Sequence, residues 1–139
     1  MAGTATPIFP QTVKNYVAQI LPADTTTKKT LVTGATNGTK IESICVASTD
    51  TAARDVQLWM TISAVDYLLA TIAIAINSGN TNAVPTVDIM RHAQWPGLSY
   101  DSSGNKILYV GSGSVLKIAA LSTVTAAKEI DVLAIGGDF

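Results

Sequence analysis

The sequence predicts an all-β fold: an antiparallel β-sandwich, jelly-roll or immunoglobulin-like, with about eight strands and an extended N-terminal arm. Three observations carry that prediction. Short segments rich in apolar and β-branched residues recur along the chain, and some alternate apolar with polar residues. Turn signals separate them, among them Asn37-Gly38, Asn77-Ser78-Gly79-Asn80 and Gly111-Ser112-Gly113. No long helical pattern lies between the strands, which argues against a parallel βαβ sheet.

The chain divides into residues 1–28, an arm with a linker, and residues 29–139, the sandwich. In the arm, Pro7-Ile8-Phe9-Pro10 favours an extended path. Val13, Tyr16, Val17 and Ile20 recur at helical spacing, which predicts a short helix over 12–21 that Pro22 ends. Asp24-Thr25-Thr26-Thr27-Lys28-Lys29 reads as a polar linker. Ile8, Phe9, Tyr16 and Ile20 are too apolar to stand alone in water. The arm therefore packs either on its own domain or on a neighbouring subunit.

Eight strands follow in order. Leu31–Thr33 is short and leads to the Asn37-Gly38 turn. In Lys40–Ser48, Ile41, Ser43, Cys45 and Ala47 share one face, and Ile44 and Val46 the other. Cys45, between Ile44 and Val46, is expected to be a small buried hydrophobe. Asp55–Ile62 alternates cleanly, with Val56, Leu58, Met60 and Ile62 on one side and Asp55, Gln57, Trp59 and Thr61 on the other. Tyr67–Ile76 is apolar enough to be covered on both faces. Thr86–Met90 is a short strand behind Pro85, and Arg91–Tyr100 is irregular. Ile107–Val110, Val115–Leu121 and Ile130–Ile135 complete the set, before the ending Gly136-Gly137-Asp138-Phe139.

Composition narrows the chemistry. The 139 residues form one domain, long enough to bury roughly two-thirds of the surface exposed by the unfolded chain. Only 14% of residues are charged, against roughly 25% in a typical soluble domain, so large strand faces carry Thr, Ser and Ala instead. Such surfaces suit burial between subunits, where charge is depleted. Nine Lys and Arg against ten Asp and Glu leave a net charge of −1, a poor basis for neutralising the phosphates of a nucleic acid. A membrane helix needs about 20 apolar residues, and the most apolar stretch here, 67–76, is half that. Residues 1–10 do not form a secretory signal, so the chain reads as cytoplasmic when made.

One His and one Cys leave only His92 and Cys45 for nucleophilic catalysis, and they sit in unrelated segments. Gly111-Ser112-Gly113 lacks the Lys-Ser/Thr and the helix of a phosphate loop. Asp50, Asp55 and Asp66 at strand ends, and Asp101-Ser102-Ser103-Gly104-Asn105, lack calcium-ligand spacing and read as loop and turn residues. No catalytic, metal or cofactor residue is assigned. The aromatic residues Trp59, Trp95 and Tyr100 are the candidates for contact with another surface, either a subunit or a sugar ring.

Taken in order, several segments resemble those of the small sandwich-type virion proteins of tailed bacteriophages, of the capsid decoration or cement type. These are Pro7-Ile8-Phe9-Pro10, Thr30-Leu31-Val32-Thr33, Asn37-Gly38-Thr39-Lys40-Ile41, Ser48-Thr49-Asp50-Thr51, Asp101–Lys106 before Ile107-Leu108-Tyr109, and Gly136-Gly137-Asp138-Phe139. Two turns depart from the pattern. Ser63-Ala64-Val65-Asp66 lacks glycines, and Ala126-Ala127-Lys128 stands where Ala-Gly-Lys is more usual. The resemblance implies a protein without catalytic residues or cofactor. It implies binding to the outside of the major capsid shell, often as a homotrimer, and reinforcement of the shell at the virion surface. Ile8, Phe9 and Tyr16 would anchor the arm, and Trp59, Trp95 and Tyr100 would be interface aromatics. The alternative is a carbohydrate- or receptor-binding module of a tail fibre or adhesin, reading sugars through Trp95 and Tyr100.

Overall fold

Val56, Leu58 and Met60 turn inward from one strand while Asp55, Gln57 and Trp59 turn outward, and the same period-2 logic builds the whole molecule. The computed structural model describes residues 9–139, so the expected anchor Ile8 lies outside the described residues. The strands are β1 (Thr12–Ile20), β2 (Lys29–Thr33), β3 (Thr39–Ser48), β4 (Arg54–Ile62) and β5 (Val65–Ile74). They continue with β6 (Val87–Asp88), β7 (Ser99–Tyr100), β8 (Lys106–Val110), β9 (Val115–Ala120) and β10 (Ile130–Asp138). A six-stranded sheet runs β1-β10-β3-β8-β7, with β6 also on β3, and a four-stranded sheet runs β2-β9-β4-β5. Every pairing is antiparallel.

The predicted antiparallel sandwich is the observed fold, with ten strands in place of eight. Its core lies between the sheets. Ile20, Ile44, Val46, Ile130 and Val132 of the six-stranded sheet join Val32, Leu58, Ile72, Leu116 and Ile118 of the other in one apolar cluster. Ile89, Met90, Trp95, Leu98 and Val124 join it from the connections. Trp95 is only 7% exposed, so it is a core residue and not the interface aromatic expected. An irregular segment offered no periodicity from which to read that burial.

Four further departures have local causes. Residues 12–20 form β1, not a helix, and pair with β10 along its whole length. Their apolar residues satisfy both spacings: Tyr16, Ala18 and Ile20 also alternate, and the edge of β10 offers backbone partners that an isolated short helix lacks. The arm is thus, from Thr12 onward, the edge strand of the sandwich. β10 runs on through Gly136-Gly137 to Asp138, because a register break at Ile135/Gly136 admits the glycines into the ladder. The same break returns Ile41 to the buried side with Ile44 and Val46 and leaves Cys45 half-buried on the outer face. β5 is apolar on both faces but is an edge strand. Val65, Tyr67 and Leu68 are 50%, 52% and 50% exposed.

The two turns without glycine are where the backbone needs it. Ser63 and Ala64 join β4 to β5 with φ of 50° and 64°, the left-handed pair of a type I′ hairpin. Ala127, in the Thr125–Lys128 turn, has φ of 61°. An L-residue in that region costs roughly 1–2 kcal/mol, of which a glycine's looser unfolded state returns part. Ala64→Gly and Ala127→Gly are each expected to stabilise the protein by about 0.5–1 kcal/mol in urea unfolding. A loss of stability in both would contradict these turn geometries.

Candidate functional site

The residues singled out in the sequence do not converge on one site. Phe9 is 72% exposed just ahead of β1. Tyr16 lies half-buried on the inner side of β1, and its hydroxyl donates to Asp138 Oδ1 at 2.6 Å. Thr39 Oγ1 donates to the same oxygen at 2.6 Å, and Lys14 Nζ lies 3.5 Å from Oδ2. Asp138 thereby ties β1, β10 and β3 together. Burial, then the hydrogen bond to Asp138, pushes the Tyr16 phenol up. The hydrogen bonds from Thr39 and Tyr16 hold the Asp138 carboxyl below its usual range. Tyr16 is thus a structural tyrosine of the sheet.

Trp59 lies half-buried on the outer face of the four-stranded sheet, opposite Leu68 on β5 and Lys117 on β9. Lys28 Nζ sits 3.8 Å above its ring centroid, a cation–π contact. The same ammonium pairs with Asp66 at 2.9 Å, and Lys117 reaches Asp66 at 3.4 Å. The Thr61 hydroxyl also donates to Asp66. That hydrogen bond, with the one from Lys28, holds the Asp66 carboxyl well below the usual carboxylate range. Trp59 Nε1 is buried and has no hydrogen-bond partner among the described residues. Tyr100 is 61% exposed on β7, while Trp95 is in the core, so the two rings do not share an open platform.

The other chemistry-bearing residues have structural partners. Asp50 is fully buried against Arg54 and Thr125. The Asp101 carboxylate accepts the amides of Ser103 and Asn105 at 2.9 Å each, closing a turn with Gly104 at φ 81°. Gly111–Ser114 is likewise a turn, with Gly113 at φ 72°. The His92 amide donates to the Ile89 carbonyl at 3.2 Å, within a chain of turns that leads to Trp95. Among the described residues no three His, Cys, Asp or Glu side chains are grouped to hold a metal ion. Among them, too, no helix is long and apolar enough to cross a membrane.

What the strands do assemble is a surface. On the outer face of the six-stranded sheet the register aligns Val17, Leu133 and Cys45 in one row across β1, β10 and β3. Asn15, Ile135 and Ser43 form the next row, and Gln19, Asp131 and Ala47 the row on the other side. Val13 and Val17 are 86% and 73% exposed. A shallow groove of about 590 Å³ crosses this face, floored by Val17, Cys45, Ala47 and Leu133, with Asp131 its single charge. A second, polar cleft of about 260 Å³ between Glu42, Arg91, Asp101, Asn105 and Lys106 carries charges of both signs. The apolar face is not legible in the sequence, because 12–21 reads as helical and β10, which joins β1 to β3, lies over 80 residues from both.

No family model matches this chain, and no curated protein matches it.

Proposed function

We propose that this protein is a non-enzymatic structural component of a bacteriophage virion. In this reading it is made in the host cytoplasm and binds the outside of the major capsid shell as a homotrimer, which it reinforces. The observation that supports this reading is the outer face of the six-stranded sheet. Across three strands and three rows it presents Val17, Leu133, Ile135, Cys45 and Ala47 with a single carboxylate, Asp131. Apolar surface of this kind on a folded sheet marks a contact with another protein. Its low charge keeps the desolvation cost of docking small. A shell presents many equivalent sites, so an oligomer binds through several modest contacts at once.

The experiment is co-sedimentation with empty shells of the corresponding phage. Val17→Asp/Leu133→Asp places two carboxylates in the middle row and is expected to weaken shell binding at least tenfold while the far-UV spectrum and melting temperature stay near those of the parent chain. Undiminished binding by a folded double variant would overturn the assignment of this face. The carbohydrate-binding alternative is weakened by the burial of Trp95, which leaves Tyr100 without its expected companion. Selective glycan binding that is lost in Tyr100→Ala would favour that alternative over the shell reading.

A further inference from the structure

We propose that β1 is a homotypic pairing edge, through which two copies of this chain join antiparallel about a two-fold axis at Asn15. The two six-stranded sheets then continue as one. The pairing does not rest on the shell reading; within that reading it would tie neighbouring trimers to one another.

An edge strand presents a row of unpaired backbone groups, and proteins blunt such rows with prolines, bulges, charges or short lengths. Among the described residues the other edges are blunted, and β6 is only two residues long. β7 is two residues long. β2 is five residues long and its ladder breaks register between Thr30 and Val32. β5 has a bulge opposite Leu58/Trp59, and the Gln94 side chain takes its Ala73 amide at 2.8 Å. β1 has none of these devices. It is nine residues long, contains no proline and pairs with β10 without a register break. Its one charged residue, Lys14, is drawn to Asp138 of its own chain. Among the described residues β10 is the one strand that hydrogen-bonds to it, and β2 of the other sheet packs near it. One edge group is occupied, the Gln19 carbonyl, which accepts Lys29 Nζ at 2.7 Å near the strand's end.

The side chains specify the occupant. The outer face of β1 reads Val13, Asn15, Val17, Gln19. Placing Asn15 opposite its own mate sets Val13 opposite Val17 of the partner subunit on both sides of the axis. It also sets amide opposite amide at Asn15, while the Gln19 amide stays on Glu129 and Asp131 of its own chain. No like charges face each other, since Lys14 falls opposite a tyrosine. A strand of unrelated sequence has no reason to match this pattern in both directions, whereas a second copy meets it by symmetry. Direct cross-strand neighbours lie roughly 4.5–5.5 Å apart at Cβ, close enough for aliphatic contact and, at the short end of that range, for a disulfide.

The test uses the full chain with Cys45→Ala, so that each introduced thiol stands alone. Under mild oxidation Asn15→Cys is expected to give a covalent dimer as the major species. Val13→Cys and Val17→Cys are expected to couple with each other when mixed and to stay uncoupled alone. In sedimentation velocity, Val13→Lys/Val17→Lys is expected to weaken self-association at least tenfold, and Val13→Lys/Val17→Glu to restore it, because this register pairs position 13 with 17. Both positions are so exposed that neither variant threatens the fold, and a thermal melt confirms that. Cross-linking of Asn15→Cys no faster than that of the loop control Ser102→Cys would overturn the proposal. So would self-association unchanged by the two lysines.

Discussion

Replacing Asp50 with alanine is expected to lower stability by about 3–5 kcal/mol, the range for removing one partner of a buried ion pair. Asp50 is fully buried, and its carboxylate takes four hydrogen bonds. Arg54 Nε donates at 2.7 Å, the Thr125 hydroxyl at 2.6 Å, and the amides of Thr125 and Ala52 at 3.0 and 2.9 Å. Arg54 extends the network to Ser122 and Thr125 at 3.0 and 2.9 Å. The 49–53 loop is thereby clasped to the 121–125 connection. Without the carboxylate, a guanidinium that is mostly buried, the Thr125 hydroxyl and two part-buried amides lose their acceptor together. The expected fall in melting temperature is about 10–20 °C. A fall of under 3 °C would show that the network is dispensable.

The same carboxylate sets a pH dependence. Burial pushes the Asp50 carboxyl up, but the Thr125, Arg54 and Ala52 hydrogen bonds outweigh it and hold the group well below the usual carboxylate range. A folded-state pKa below the unfolded value of about 3.9 means that this stabilisation is fully present above that pH. It declines as pH falls below about 4. Asp50→Asn is therefore expected to melt lower than the parent at pH 7, with the gap narrowing toward pH 2.

Gly136→Ala is expected to be as damaging, at about 3–5 kcal/mol or a failure to accumulate folded protein. A Cβ at Gly136 would sit 2.0 Å from the Lys40 carbonyl oxygen and 3.0 Å from Ile41 Cα. Both are backbone atoms of β3 and cannot swing aside as a side-chain tip can. Relief requires β3 and β10 to part at the register break, which also carries Ile41 to the core. Gly97 is the control. Nothing lies within 4 Å of a Cβ there, so Gly97→Ala should stay within about 0.5 kcal/mol of the parent. Near-equal melts for the two variants would refute the close approach of β3 and β10.

The outcome for each segment follows from how local its signal is. Val56, Leu58 and Met60 are legible in the sequence because one buried face imposes strict alternation, whereas Ile62, at the end of the same strand, is exposed. The two turns that lack the glycines of the resembled pattern do have positive φ, at Ser63, Ala64 and Ala127, because turn geometry depends on a few consecutive residues. Val13, Tyr16, Val17 and Ile20 fit the helical and extended periods alike, so only the presence of β10 decides between them. Glycines normally weaken a strand, which placed Gly136 and Gly137 beyond the last one. The bulge that accommodates them belongs to a pairing with β3, 95 residues away. The apolar face was invisible for the same reason. Leu133 and Cys45 become neighbours only through register.

Composition and period-2 alternation are properties of short stretches of chain, and they sufficed for an antiparallel sandwich with little charge to spare. Which edge stays open, which face stays apolar and which aromatic residue is buried depend on contacts made across the whole chain. Tyr16 reaches Asp138 over 122 positions, and Asp50 reaches Thr125 over 75. Such contacts form only when the sheets close. Closure makes an expected helical arm the edge strand β1 and a loop tryptophan part of the core.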